Sequence, residues 1–76
     1  MNANKMQDAI FVFQLNTKLY PKSANVWDSL GEVYWKSNNT DKAIEYYNKA
    51  IELDPHGVTG ANARQAIKNI QAEKAH

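Results

Sequence analysis

Four stretches of the chain carry apolar residues at helical spacing, and turn-forming residues separate one stretch from the next. The first covers residues 5–19 and has apolar residues on one face. The second begins after Ser23, whose hydroxyl can cap the first turn, and ends near Lys36. The third begins at Asn39 or Thr40 and stops before Pro55, because proline lacks the N–H that a helix interior needs.

The fourth stretch, from about Thr59 or Gly60 onward, is polar and rich in alanine, so only a narrow apolar stripe can be buried. The members of this stripe are Ala63, Ala66, Ile67 and Ile70. No stretch shows the alternation of a strand, and the connections are short. The pattern therefore predicts an all-α fold, an antiparallel array of four helices.

The second and third stretches together contain a spaced motif. Its members are Trp27, Leu30, Gly31, Tyr34, Ala43, Tyr47, Ala50 and Pro55. The motif resembles the tetratricopeptide repeat family, with its W-x2-L-G-x2-Y, A-x3-F and proline positions, except that tyrosine replaces phenylalanine. The resemblance makes residues 24–57 one complete repeat. It also implies that Gly31 faces the small Ala43, where a larger side chain would force the two helices apart.

The same register extends in both directions. Moving one repeat upstream of Ala43, Tyr47 and Pro55 reaches Ala9, Phe13 and Pro21, so residues 5–20 resemble the second helix of a preceding repeat. Downstream, the register holds only if three residues are inserted, which puts Arg64 at the tryptophan position. Residues 58–76 then resemble a polar capping helix. We expect one domain over residues 1–76, with about one and a half repeats and a cap.

This count falls short of the roughly three repeats needed for independent stability. We therefore expect either a fragment of a longer protein or an assembly in which another molecule covers the open amino-terminal helix. The candidate self-association edge is Met6, Ile10 and Phe13. Acidic residues dominate positions 23–57 and basic residues dominate both ends. This distribution is typical of ordinary solvated helix faces, and the alternative is a homo-oligomer or a domain swap favoured by the complementary charges.

One face of the second helix carries residues that do not belong to the spaced motif. At about 100° per residue, they fall in one arc away from Trp27, and they are Asn25, Asp28, Glu32, Trp35 and Lys36. In the resembled family the corresponding positions line a groove that holds an extended peptide or a partner helix. The acidic pair favours a basic or neutral segment. The alternative is that both carboxylates are simply solvated and that Trp35 packs as part of the core.

The composition indicates no catalytic chemistry. The chain has no cysteine, its net charge of +1 does not favour nucleic acid, and no catalytic motif, phosphate loop or metal-spaced histidine pair is present. His56 in a turn and His76 at the end are expected in solvent. We predict no enzyme activity, cofactor or metal. The lack of a signal peptide or a long apolar run predicts a soluble chain without membrane association, in an undetermined compartment.

The sequence thus predicts a non-catalytic module that binds a protein or peptide. A second interpretation is a structural appendage of an enzyme. Residues 15–55 are similar to the carboxy-terminal tetratricopeptide tails of some bacterial β-lactamase-like serine hydrolases, through Leu15-Asn16, Tyr20-Pro21, Ser23, Asn25 and Asp28-Ser29-Leu30. A third interpretation is a unit that self-associates through its open first helix.

Overall fold

The computed structural model describes the backbone of residues 2–74 and the side chains of residues 5 and 7–73. Its elements are four helices: α1 (Asn2–Leu19), α2 (Ala24–Lys36), α3 (Thr40–Leu53) and α4 (Val58–Lys74). The all-α prediction is confirmed, and no strand occurs within residues 2–74. The helix α1 begins about three residues earlier than its apolar stripe indicated, and α4 begins one residue earlier.

Each helix packs on the next one along the chain, and α2 also contacts α4. The α2–α3 pair has the most extensive contact, whereas α1 contacts only α2 among the described helices. The result is a plate of about 38 × 37 × 16 Å. One consequence is that α1 lies at an edge of the plate, with its outer side uncovered.

The turns before α2 and α3 are capped differently. The Asn39 side chain accepts a hydrogen bond from the Lys42 N–H at 3.4 Å, as a helix cap does. Ser23 occupies the equivalent position before α2, but its hydroxyl makes no capping bond, so that prediction was wrong. The turn is held by the backbone instead, since the Ser23 N–H donates to the carbonyl of Tyr20 at 3.0 Å.

The helix α2 ends in a left-handed residue. Asn38 has a φ of 67°, and the N–H groups of Asn38 and Asn39 donate to the carbonyls of Trp35 and Tyr34 at 3.0 and 2.9 Å. This pair of bonds is the Schellman arrangement, which satisfies carbonyls that the last turn would leave free. Asparagine tolerates the left-handed region better than most residues, so this turn can close without a glycine.

The core lies where α2, α3 and α4 meet. Its buried members are Leu30, Tyr34, Ala43, Tyr47, Ala50, Ala63 and Ile70. The last two come from the stripe predicted on α4, and Ala66 and Ile67 of the same stripe are partly buried against the core. The cap helix therefore buries one narrow face, as its sequence indicated.

Gly31 allows α2 and α3 to approach closely. A Cβ at this position would lie 3.0 Å from Cδ1 of Tyr47 and 3.2 Å from the carbonyl oxygen of Ala43. The glycine therefore faces the backbone of Ala43, as the resemblance to tetratricopeptide repeats implied. It also faces the Tyr47 ring, which the sequence did not indicate.

The connection from α3 to α4 is where the repeat register requires the insertion of three residues. A Cβ at Gly60 would overlap the carbonyl oxygen of Asp54, so only glycine fits there without a backbone shift. The Gly60 N–H donates to Oδ2 of Asp54 at 3.4 Å, and Nη1 of Arg64 donates to the carbonyl of Pro55 at 2.8 Å. These bonds hold the start of α4 against the end of α3.

Candidate functional site

The five residues predicted as a binding face lie on α2, but they are not equally exposed. Asn25, Glu32 and Lys36 are exposed, whereas Asp28 and Trp35 are half-buried, and Trp35 packs against the core. Nζ of Lys36 lies 3.2 Å from Oε2 of Glu32 in an ion pair one helical turn apart. This surface thus combines the exposed Glu32–Lys36 ion pair with the half-buried carboxylate of Asp28 and the half-buried indole of Trp35, which packs against the core.

The half-buried carboxylate is electrostatically unusual. Burial raises the pKa of the Asp28 carboxyl above its ordinary 3.8, and the negative charge of Glu32 raises it further. Lys36 pairs with Glu32, and no ion pair to Asp28 occurs among the described side chains. Asp28 is therefore the acidic group on this face that would gain most from a cation brought by a ligand.

Tyr47 of α3 is buried in the core, as the packing role indicated by the sequence requires, but its hydroxyl is within electrostatic reach of Asp28 and Glu32. Burial raises the pKa of its hydroxyl well above the usual value, and the charges of Asp28 and then Glu32 raise it further. The signal that could have revealed this closeness is Gly31, because a Cβ at that position of α2 would meet the Tyr47 ring.

A second cluster lies along the seam between α2 and α3. The Tyr46 ring stacks on Trp27 at 5.8 Å and on Tyr34 at 5.3 Å between centroids. Lys49 and Lys42 cover the two ends, with their Nζ atoms 5.8 Å from the Trp27 ring and 5.9 Å from the Tyr34 ring. The sequence identified Trp27 and Tyr34 as scaffold residues, and it missed Tyr46, which joins them.

Two open cavities flank this aromatic cluster, and Trp27 and Tyr46 line both. One, of about 420 Å³, lies on the outer side of α3 and has Lys49 on its wall. The other, of about 530 Å³, lies between α1 and α3, with Gln14 and Thr17 on its α1 side. The backbones of α1 and α3 do not approach each other closely, which leaves room for this second cavity. Neither cavity includes a residue of the predicted binding face.

The residues predicted as a self-association edge are less exposed to solvent than expected. Ile10 and Phe13 are half-buried and pack against the core, and the side chain of Met6 lies outside the described residues. The exposed apolar side chains of α1 are different ones, on its other side: Phe11, Val12, Leu15 and Leu19. Whether Met6, Ile10 and Phe13 pair with another chain stays a prediction.

The motif residues build the frame that holds these surfaces. The Trp27 indole N–H donates to the carbonyl of Pro21 at 2.9 Å and so ties α2 to the preceding turn. Nε2 of Gln14 donates to the Tyr34 hydroxyl at 2.8 Å, which joins α1 to α2. Ala9 is half-buried in α1, while Ala43 and Ala50 are fully buried in α3.

The described residues present no arrangement for metal chemistry. Within residues 2–74, no three histidine, aspartate or glutamate side chains come close enough to hold an ion. His56 lies exposed in the turn before α4, and His76 lies outside the described residues. None of the helices that the structure describes is long and apolar enough to cross a membrane.

Comparisons with known proteins agree with the motif. A sequence model of the tetratricopeptide repeat matches residues 24–56. Superkiller protein 3 of Schizosaccharomyces pombe is 38% identical over 55 residues, which are 72% of this chain and 4% of that protein. The human Superkiller complex protein 3 is 30% identical over 70 residues, which are 92% of this chain and 4% of that protein.

A third relative carries the repeat in its name. The chloroplastic tetratricopeptide repeat domain-containing protein PYG7 of Arabidopsis thaliana is 26% identical over 66 residues, 87% of this chain and 22% of that protein. The chain spans only about 4% of the length of the two Superkiller relatives. The similarity therefore covers a segment of each. The resemblance to tails of β-lactamase-like hydrolases is not shown by these matches and stays a prediction.

Proposed function

The chain carries a tetratricopeptide repeat at residues 24–56, and from this premise we propose that it is a non-catalytic module that binds a protein segment. Stacked helical repeats of this kind form extended binding surfaces. The ligand surface in our proposal is the α2 face of Asn25, Asp28, Glu32, Trp35 and Lys36.

The observation that carries this proposal is the state of Asp28. A carboxylate that is half-buried, next to a like charge, and without a described ion pair is in an unfavourable position in the free protein. A lysine or arginine side chain of a ligand would relieve that repulsion. The neighbouring Trp35 offers apolar and cation–π contact to the same side chain.

The ligand class is therefore a short, basic or neutral segment of another protein, bound as an extended peptide or as one face of a helix. The human relative's name makes it a component of a complex, and we propose the same general role here, without a named partner. The rival role, a structural appendage of an enzyme, would leave this face without a ligand.

A defined test uses pooled octapeptides that differ only in charge: lysine- and arginine-rich, neutral, and aspartate- and glutamate-rich. Amide chemical shifts of the chain are followed as each pool is added. We expect the basic or neutral pool to shift resonances of α2 residues and of Tyr47. Shifts confined to the aromatic cavities, or saturable binding of the acidic pool alone, would contradict the proposal.

Variants make the test specific. Asp28→Lys and Trp35→Ala should each weaken binding of the basic pool by on the order of tenfold or more, because each removes a central contact. The matched control is Glu45→Lys, which makes the same charge change on the outer side of α3 and should leave affinity nearly unchanged. Equal loss in the control would show that binding follows net charge rather than this face.

A further inference from the structure

The helix α1 has a second apolar face, on the side away from α2. Its members are exposed to different degrees: Phe11 by 68%, Leu19 by 59%, Val12 by 51% and Leu15 by 46%. At about 100° per residue they lie within one third of the helix circumference. Ile10 and Phe13, which pack against the core, lie on the opposite side. An edge helix that is apolar on both sides has one side still to be covered.

The spacing on this outer side is that of a helix–helix seam. Asp8, Phe11, Leu15 and Lys18 follow one another at intervals of three, four and three residues, as the a and d positions of a coiled coil do. The two central positions are apolar and the two outer ones carry opposite charges. Asp8 and Lys18 are both exposed, and no described side chain pairs with either.

The charges of this seam are complementary to those of a second copy that runs in the opposite direction. Asp8 and Lys18 lie equally far from position 13, roughly 7.5 Å along the helix at 1.5 Å per residue. A two-fold axis beside that position places Phe11 against Leu15 of a second copy and Asp8 against Lys18 of that copy. A parallel arrangement would instead place Asp8 against Asp8 and Lys18 against Lys18. The charges thus select the antiparallel pair.

We infer that the outer face of α1 binds a second copy of this chain, as an antiparallel helix pair with a seam of Asp8, Phe11, Leu15 and Lys18. Such an interface is isologous and closes as a dimer. Because each copy contributes a single helix, the buried area stays below about 1,200 Å² and the dimer is reversible. The seam shares no residue with the α2 face, so this inference does not rest on the proposed peptide binding.

The experiment tests whether a second copy of the chain binds the outer face of α1. Sedimentation equilibrium of the 76-residue chain is measured from low micromolar to millimolar concentration, with far-UV circular dichroism of every variant. We expect a monomer–dimer equilibrium for the natural sequence. Leu15→Asp should remain monomeric over the whole range with unchanged helicity, because this side chain is exposed in the monomer.

Charge reversal tests the orientation. Asp8→Lys and Lys18→Asp should each raise the dissociation constant on the order of tenfold, since each turns two attractive pairs into two repulsive ones. The double variant restores opposite charges and should return to within about threefold of the natural sequence. The matched control, Lys68→Asp on exposed α4, should leave association unchanged.

Any one of three results would overturn the inference. A monomer at every concentration would assign the face to some other occupant, such as a further helix of a longer chain. Association that persists in Leu15→Asp, or single reversals that the double variant fails to rescue, would show that copies meet through a different surface or in a different orientation.

Discussion

The guanidinium of Arg64 and the carbonyl of Pro55 form a 2.8 Å hydrogen bond that repeats the 2.9 Å bond from the Trp27 indole to Pro21. The earlier pair is six residues apart and the later pair nine. Because the two prolines are in register, the extra three residues lie in the turn before α4. A different side chain thus makes the same link between a turn and the helix that follows it.

Removing this link should loosen the cap helix. We expect Arg64→Met, which keeps an apolar stem but loses the donor, to lower the free energy of unfolding by about 0.5–1 kcal/mol, at the lower end for a hydrogen bond because the site is exposed. Urea denaturation measures the change. Lys68→Met is the control, since Lys68 is exposed and makes no described bond. An equal loss in both would mean that the charge, and not the bond, matters.

Gly31→Ala should destabilise the protein even though alanine favours a helix by about 1 kcal/mol. The added methyl would meet the Tyr47 ring at 3.0 Å, and that ring is only 3% exposed and cannot easily move. We expect a net loss of about 1–2 kcal/mol by thermal or urea unfolding. Asn62→Ala on the exposed side of α4 should be neutral or stabilising. A stabilised Gly31→Ala would show that α3 shifts at little cost.

Asp28→Asn should stabilise the protein at neutral pH. In the folded protein the pKa of the Asp28 carboxyl is raised, mainly by burial and also by the charge of Glu32, so the ionised form is disfavoured there. Destabilisation from this charge is therefore present above the folded pKa and disappears as pH falls below the ordinary value of 3.8. We expect a gain of a few tenths of a kcal/mol near neutrality. Urea titrations show it shrinking in acid, and a gain independent of pH would refute this.

The two phenylalanines of α1 should differ sharply when each is replaced by alanine. Phe13 packs against the core, so Phe13→Ala should lower the free energy of unfolding by about 2–4 kcal/mol. Phe11 is 68% exposed, and Phe11→Ala should change it by less than about 0.5 kcal/mol. Both are measured at low micromolar concentration, where the dimer is dissociated. Similar losses would mean that α1 packs in another orientation.

Asn38→Gly should stabilise the end of α2. Its φ of 67° is in the left-handed region, where glycine has no steric penalty. We expect a gain of about 0.5 kcal/mol for glycine and a loss of about 1 kcal/mol for Asn38→Ala. Thermal unfolding of the pair checks the sign, and an unchanged Asn38→Ala would indicate that the turn adopts another conformation.

The helices could be predicted because their signals are local. Pro21 and Pro55 stop helices wherever they occur, and the stripe of Ala63 and Ile70 can face only one way. The Ser23 cap failed because a side-chain bond depends on how the turn is oriented, and the backbone bond to Tyr20 satisfies the turn without the hydroxyl. The identity of the residue at position 23 does not determine whether its side chain or the backbone makes the bond.

The candidate surfaces were harder to predict for a related reason. Helical angles put Asp28 and Glu32 on one face of α2, but the closeness of the buried Tyr47 to that pair requires knowing how near α3 lies. Tyr46 likewise gains its neighbours Trp27 and Tyr34 only when two helices meet. On α1, the inward stripe of Ile10 and Phe13 looked open in the sequence because its partner, α2, comes later in the chain.

The chain's two tryptophans lie in separate environments, and that separation provides a built-in spectroscopic probe. Trp27 is stacked on Tyr46 and hydrogen-bonded to Pro21, whereas Trp35 lies half-buried on the face proposed to bind a ligand. In a Trp27→Phe variant, the intrinsic fluorescence of Trp35 would report occupancy of that face without any attached dye. In a Trp35→Phe variant, the emission of Trp27 would follow the separation of α2 from α3 during unfolding.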